Sequence, residues 1–175
     1  LWSSIPDEEL LELAEAGRLS EPDILSAQVR RMLTDAKAKA LIGNFAEQWL
    51  ALREMDRFNP DPALFPDVAL ELRDAFRTEL TLFLESVLLG ERSVLGLLSA
   101  EHTFVNERLA LHYGLPDVQG SRFREVVLDD PNRHGLLGKP GILMITSYPN
   151  RTAPVLRGAW ILEHLTGTPP AQPPP

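Results

Sequence analysis

A mainly α-helical fold, a multi-helix bundle with a short mixed extension, is the architecture that this sequence predicts. Apolar residues recur at steps of three and four over two long stretches, near residues 35–54 and 67–89. Several shorter segments carry proline at their start and glycine at their end, as helices do. One passage alone, "GSRFREVVLDDPNRHG", has the pattern of a strand followed by a turn.

Two short helices are predicted at the N-terminus. The stretch "SIPDEELLELAEAG" places Pro6 in a first turn and Gly17 at the stop. The stretch "SEPDILSAQVRRML" repeats this pattern, with Ser20 as a candidate N-cap and Pro22 early in the helix. The apolar face of this second helix comprises Leu25, Val29 and Met32.

Two long amphipathic helices follow, near residues 35–54 and 67–89. The expected core stripe of the first comprises Leu41, Phe45, Trp49 and Leu52. The expected core stripe of the second comprises Leu72, Phe76, Leu80, Phe83 and Val87. Between them, "RFNPDPALFPD" holds several prolines and therefore predicts an ordered connector without a helix.

The C-terminal part is less regular. "SVLGLLSAEHTFVNERLALHYGLP" predicts a short turn and then a helix that carries Val105 and Leu109 and ends at Gly114. "LLGKPGILMITSYPNR" is apolar but interrupted by glycine and proline, so its state stays open. "APVLRGAWILEHLTG" predicts a final helix that is apolar over a wide arc, so it is either buried on two sides or in contact with a neighbouring domain. Its main apolar face comprises Val155, Ala159 and Leu162, with Trp160 off that face.

These elements predict a division into three parts. Residues 1–115 form a helical domain, and residues 119–168 form a smaller mixed segment that ends in a helix and packs on the first. Residues 169–175 are rich in proline and predict an extended linker.

Composition excludes several classes of function. The formal net charge of −8 argues against a nucleic-acid partner, and no apolar run is long enough to span a membrane. The chain holds no cysteine, which excludes disulfides, thiolate zinc sites and covalently attached c-type haem within this segment. With 44% hydrophobic and 24% charged residues, it is an ordinary acidic globular sequence.

Long phrases of this sequence resemble a known pair of domains. The phrases are "NFAEQWLALREMDRFNPDPALFPD", "SAEHTFVNERLALHYGLP" and "GLLGKPGILMITSYPNRTAPVLRGAWILEHLTGTPP", in that order. They are similar to two adjacent domains of unknown function from planctomycete-type secreted multidomain proteins associated with c-type cytochromes. The first domain would cover roughly residues 1–115 and the second roughly residues 119–175.

The resemblance implies a context more than an activity. It implies a periplasmic or secreted protein whose neighbouring domain carries a c-type haem, with no cofactor in this segment. The favoured hypothesis is therefore an interaction or scaffold module, not an enzyme on its own, whose partners are the neighbouring domains of its own chain. The alternative is part of an extracytoplasmic oxidoreductase that acts on a polymer or carbohydrate. The family supplies no accepted catalytic residues.

The stretch "SYPNRTAPVLRG" is the candidate binding site. Thr152 could cap the final helix, and Arg151 and Arg157 lie near its N-terminus, where an anion is favoured. Tyr148 and Asn150 could add polar contacts. Three alternatives stay open: the arginines clamp carboxylates or carbonyls of the helical part, they bind a ligand's carboxylate or phosphate-like group, or they are surface residues without a specific role.

Other chemistry-bearing residues give weaker signals. The four histidines lie far apart and show no metal-ligand spacing, so the sequence predicts no metal site. No nucleophile elbow, phosphate-binding loop or dinucleotide fingerprint is present, and the catalytic residues, if any, are unknown. The helical carboxylates Glu47, Glu79 and Glu107 are expected to be solvated or ion-paired.

Overall fold

Helices dominate the computed structural model, which describes residues 1–68, 70–90 and 92–171. The predicted mainly α-helical class is therefore confirmed, while the last four residues of the predicted linker lie outside the described residues. The helices are α1 (Glu8–Glu15), α2 (Pro22–Thr34), α3 (Lys39–Leu41), α4 (Glu47–Trp49), α5 (Glu54–Arg57), α6 (Leu70–Leu88), α7 (Gly96–Ser99), α8 (Glu107–Tyr113), α9 (Pro140–Ile145) and α10 (Pro154–His164). The strands are β1 (His102–Val105), β2 (Arg124–Val127), β3 (Ser147–Tyr148) and β4 (Arg151–Thr152).

The first helix starts later than predicted. Helix α1 begins at Glu8 because the Asp7 side chain accepts a hydrogen bond from the Leu10 amide at 3.2 Å, which makes Asp7 the N-cap. Pro6 consequently precedes the helix and is not in its first turn, as the sequence had suggested.

The second helix also departs from prediction. Helix α2 begins at Pro22 as expected, but its N-cap is Glu21 and not Ser20, and no side chain caps it. Its predicted apolar face does not enter the core, since Leu25 and Val29 are exposed. The buried residue of α2 is Gln28, whose amide donates to Glu9 of α1 at 2.7 Å.

The predicted long helix at 35–54 is wrong in two ways. A short 3₁₀ turn at Ala36–Ala38, α3, a π-helical segment at Ile42–Ala46 and α4 follow one another, and the helical course then ends at Trp49. The predicted stripe is confirmed in part, because Leu52 is buried and Trp49 packs against the core. Phe45, however, is 54% exposed and stacks on Trp49. From Ala36 to Leu50, the buried positions are Ala38, Ile42, Ala46 and Leu50.

Both departures have a physical reason. In a regular α-helix, residues four apart drift around the axis by about 40° at each step, because a turn takes 3.6 residues. The wider π turn offsets part of this drift, so the four buried positions stay on one side. The chain then turns at Ala51, whose φ is +55°, and this left-handed residue allows both Leu50 and Leu52 to enter the core.

Helix α6 is the predicted helix that the structure confirms most fully. All five residues of its expected stripe are buried, and α6 packs against α8, α9, β1 and the π-helical segment. It therefore forms the central element of the fold. The connector before it is ordered and non-helical over its proline-containing stretch, as predicted.

The chain after α7 forms a strand where a helix was predicted. Val105 belongs to β1, and α8 starts only after Asn106, whose side chain caps it by accepting from the Leu109 amide at 3.0 Å. β1 pairs antiparallel with β2, in the passage predicted to be a strand, with Thr103 opposite Val126. The helix ends at Gly114 as expected, in the left-handed conformation.

The undetermined stretch before α10 forms 3₁₀ helix Leu136–Gly138, α9 and the β3–β4 hairpin. Helix α10 buries the side that carries Trp160 and exposes most of the face formed by Val155, Ala159 and Leu162. Val155 and Leu162 are exposed, whereas Trp160 is buried and donates from Nε1 to the Leu50 carbonyl at 3.3 Å.

One hydrophobic core joins the two predicted parts of the chain. Residues from the C-terminal segment enter the same cluster as α6; they are Leu136, Ile142, Met144 and Trp160. Close approach of backbone to α6 makes this possible, since a Cβ added at Gly141 would lie 2.5 Å from Leu80 Cδ1. No helix in the described ranges has the length and apolarity needed to cross a bilayer.

We expect Gly135→Ala to destabilise the protein by about 2 kcal/mol or more, because Gly135 has φ +60° and an added Cβ would lie 2.3 Å from the Leu98 carbonyl oxygen. Gly158→Ala in α10 is the matched control, since nothing lies within 4 Å of its added Cβ. It should stabilise by about 0.5–1 kcal/mol, as glycine disfavours helix interiors. Urea denaturation measures both, and equal effects of the two changes would contradict this packing.

Candidate functional site

The stretch singled out by the sequence forms a tight hairpin. Tyr148 and Arg151 are cross-strand partners in the β3–β4 pair, and Arg151 stacks over the Tyr148 ring at 4.9 Å from its centroid. The hairpin is fastened at its turn, where the Asp61 amide donates to the Pro149 carbonyl at 2.9 Å. Asn150 lies exposed in that turn.

The end of the hairpin enters α10 without the predicted cap. The N-cap residue is Ala153 and makes no side-chain capping bond, so Thr152 does not cap the helix. Pro154 does occupy the first turn, where its lack of an amide N–H costs nothing.

Arg157 is held by two hydroxyl groups at the end of α9. Its Nε donates to Thr146 Oγ1 at 3.2 Å and its Nη2 to Ser147 Oγ at 3.5 Å. It therefore fastens the start of α10 to the end of α9. Neither Arg151 nor Arg157 forms an ion pair within the described part of the chain, so whether these arginines bind a ligand stays a prediction.

A groove of about 220 Å³ lies beside the hairpin and brings three of the five predicted residues together. Tyr148, Arg151 and Thr152 line the groove, whereas Asn150 and Arg157 are not part of the lining. Residues of the connector before α6 also line it. The apolar part of the groove lining comprises Phe58, Pro60, Phe65, Val68, Phe76, Pro140, Leu143 and Met144.

The groove lining also includes two residues with nitrogen-containing polar side chains. These residues are His112 and Arg133; the His112 ring packs against Phe76, and Arg133 stacks over Tyr113 at 5.5 Å. Burial against neighbouring atoms and the charges of Arg133 and Arg108 lower the pKa of His112, which favours a neutral ring at pH 7.

A buried polar cluster that sequence reasoning missed includes Tyr113, the residue over which Arg133 stacks. Glu79 is completely buried on α6, although the sequence suggested a solvated or ion-paired carboxylate. Its Oε1 accepts from Tyr113 Oη at 2.6 Å and from Thr103 Oγ1. Its Oε2 has no hydrogen-bond partner among the described residues.

Lys139 is the cation that faces this cluster. Its side chain is completely buried, its Nζ donates to the His102 carbonyl at 3.3 Å, and it lies 4.6 Å from the centroid of the Phe83 ring. A buried lysine in this position requires compensation, because burial of a lone ammonium costs several kcal/mol. The carbonyl, the aromatic face and the Glu79 carboxylate provide it.

Burial drives both groups of this cluster toward their neutral forms. Burial raises the pKa of Glu79, against the opposing effects of the Lys139 charge and of the hydroxyls of Thr103 and Tyr113. Burial lowers the pKa of Lys139 to about 8, and the Glu79 carboxylate opposes that decrease. The two charges therefore stabilise each other, although no direct ion pair joins them within the described residues.

The sequence does contain a signal for the burial of Glu79. Glu79 lies three residues after Phe76 and four before Phe83, so it is in phase with the apolar stripe of α6. A carboxylate in phase with a core stripe needs a buried partner. Lys139 gave no comparable signal, because it follows a glycine and precedes a proline in a segment whose conformation the sequence left open.

The described residues contain no group of three or more His, Cys, Asp or Glu side chains placed to hold a metal ion. The described residues form a mainly α-helical domain. It has a groove with a mixed apolar and cationic lining, and it contains a buried charged cluster.

The sequence comparisons assign the family. The chain belongs to the family described as PSD4, a protein of unknown function (DUF1592), whose model matches residues 1–115. A second model, PSCyt3, also a protein of unknown function (DUF1588), matches residues 133–175. No curated protein and no solved structure matches the chain.

We expect the buried charges of Glu79 and Lys139 to be energetically coupled. Glu79→Gln keeps an acceptor for both hydroxyls, and Lys139→Met keeps the apolar stem, yet each leaves the other charge without its partner. Each single change should cost about 3 kcal/mol. The double variant should cost at least about 1 kcal/mol less than their sum.

Urea denaturation at pH 7 gives the free energy of unfolding for the four proteins of this cycle. The control cycle pairs Arg57→Gln with Glu54→Gln, which form a solvent-exposed i,i+3 ion pair at 3.1 Å. That cycle should give a coupling of roughly 0.5 kcal/mol or less. Additive effects of the Glu79 and Lys139 changes would show that the cluster is not coupled.

Proposed function

We propose that this chain is an interaction module of an extracytoplasmic multidomain protein, and that α10 carries the surface that meets a neighbouring c-type cytochrome module. The single observation that carries this proposal is the outward-facing apolar stripe of α10. A helix that buries one face and leaves an apolar stripe on the other has a surface suited to a second partner.

The stripe is defined by residues at helical spacing. Val155 is 83% exposed and Leu162 is 42% exposed, and they share a face because seven residues make almost two turns. Leu156, beside them, is 39% exposed. The opposite face is already occupied, since Trp160 is buried and the Trp49 indole donates to the His164 carbonyl at 2.5 Å.

The family context supports the choice of partner. The name of the second matching model, PSCyt3, points to cytochrome association, as does the resemblance of the sequence to domains beside c-type cytochromes. This chain holds no cysteine, so the covalent haem of this proposal belongs to the neighbouring module. Location outside the cytoplasm is part of the same proposal.

The surface is tested with Val155→Gln/Leu162→Gln, which makes the stripe polar and keeps residues compatible with a helix. We expect the affinity of the 175-residue chain for the separately produced cytochrome module to decrease about tenfold or more, because central apolar anchors dominate such interfaces. Isothermal titration calorimetry gives the dissociation constants, and circular dichroism checks the helical content.

The control is Leu111→Gln on α8, a leucine that is 59% exposed and lies outside the stripe. It should leave the affinity unchanged. The proposal fails if the unaltered chain does not bind the cytochrome module, or if the control weakens binding as much as the stripe variant does.

A further inference from the structure

The groove beside the hairpin has an electrostatic character opposite to that of the whole chain. The chain carries 25 acidic residues and a net charge of −8. Yet the groove is lined by two arginines and a histidine, and no aspartate or glutamate is among its lining residues. A local positive potential in an acidic protein favours an anionic ligand at that place.

Both arginines have hydrogen-bonding capacity to spare. Arg133 lies over the Tyr113 ring and Arg151 over the Tyr148 ring, with the guanidinium carbons 5.5 and 4.9 Å from the ring centroids. Within the described ranges, neither guanidinium makes an ion pair or a hydrogen bond. Stacking holds a guanidinium plane in place and leaves its N–H edge available for a bidentate bond to an anion.

The rest of the groove requires an apolar body. Phe65 and Val68 from the connector line it together with Phe76 and Leu143, so most of the surface is aromatic or aliphatic. Its volume of about 220 Å³ is below the range of roughly 300–1,000 Å³ that drug-sized ligands occupy. One ring or one short alkyl chain fits such a space, and a carboxylate is the smallest head group that accepts a bidentate arginine.

We infer that this groove binds a small organic carboxylate with an aromatic or short aliphatic body. The head group pairs with Arg151, Arg133 supplies a second positive charge, and the body packs on Phe65, Val68 and Leu143. The site is separate from the α10 stripe, whose residues do not line the groove, so this inference stands or falls independently of the proposed function.

The direct test is titration of the 175-residue chain with 3-phenylpropanoate and with octanoate, followed by calorimetry and by amide chemical shifts. We expect one or both to bind, with shifts at Tyr148 and Phe76. The uncharged 3-phenylpropanamide should bind about tenfold more weakly, because it lacks a charge-assisted bond. Acetate, which has the head group alone, should be at least as weak.

Arg151→Gln should weaken binding of the carboxylates about tenfold and leave the binding of the amide unchanged. Arg122→Gln is the matched control, since Arg122 is exposed, lies outside the groove and gives the same change in net charge. Phe65→Ala should weaken the carboxylate with the larger apolar body more than it weakens acetate. Because Phe65 and Arg151 are both exposed, neither change should unfold the protein.

Three results would overturn the inference. The first is absence of binding of both carboxylates at millimolar concentration. The second is acetate or the amide binding as tightly as 3-phenylpropanoate. Tight binding of acetate would show that the apolar body contributes nothing, and tight binding of the amide would show that the charged head group contributes nothing. The third is an equal loss of affinity in Arg122→Gln and Arg151→Gln, which would indicate an effect of net charge without a site.

Discussion

The burial of Lys139 against α6 and β1 is the interaction on which the rest of the structure depends. An ammonium group in a core is tolerated only where it is compensated, and here the His102 carbonyl, the Phe83 ring and the Glu79 carboxylate surround it. Lys139 immediately precedes α9. Its fixed position therefore sets where α9 crosses α6, and the next residues of the chain follow from that crossing.

Both candidate surfaces are consequences of this arrangement. Helix α9 leads directly into the β3–β4 hairpin, which lines the groove, and then into α10, which carries the exposed apolar stripe. Trp160 fastens α10 to the Leu50 carbonyl, and the Pro149 carbonyl fastens the hairpin to the connector. The groove and the stripe are therefore held by different contacts.

The sequence predicted what depends on a regular local period and missed what depends on distant contacts. Helix α6 keeps one period throughout, and its stripe was predicted correctly. The segment at 35–54 has a similar period, but it also contains a π turn and the left-handed Ala51. These two features depend on packing against α6, and local residue spacing carries no information about that packing. The sequence predicts Tyr148, Arg151 and Thr152 as candidate site residues, and all three line the groove. Phe65 and His112 line it too, but they are far away in sequence, so local patterns do not connect them to the site. Glu79 is in phase with the core stripe of α6, so its burial is predictable from the sequence, whereas Lys139 has no local pattern.

We infer that Lys139 joins the C-terminal segment and α6 into one cooperatively unfolding body. Native-state hydrogen exchange across a urea series tests it most directly, because it gives an opening free energy for each amide. We expect the amides of Leu80 in α6 and of Met144 in α9 to have the same opening free energy, equal to the free energy of global unfolding. A free energy for Met144 lower than that of Leu80 by about 2 kcal/mol or more would show that α9 opens alone, and would contradict the claim.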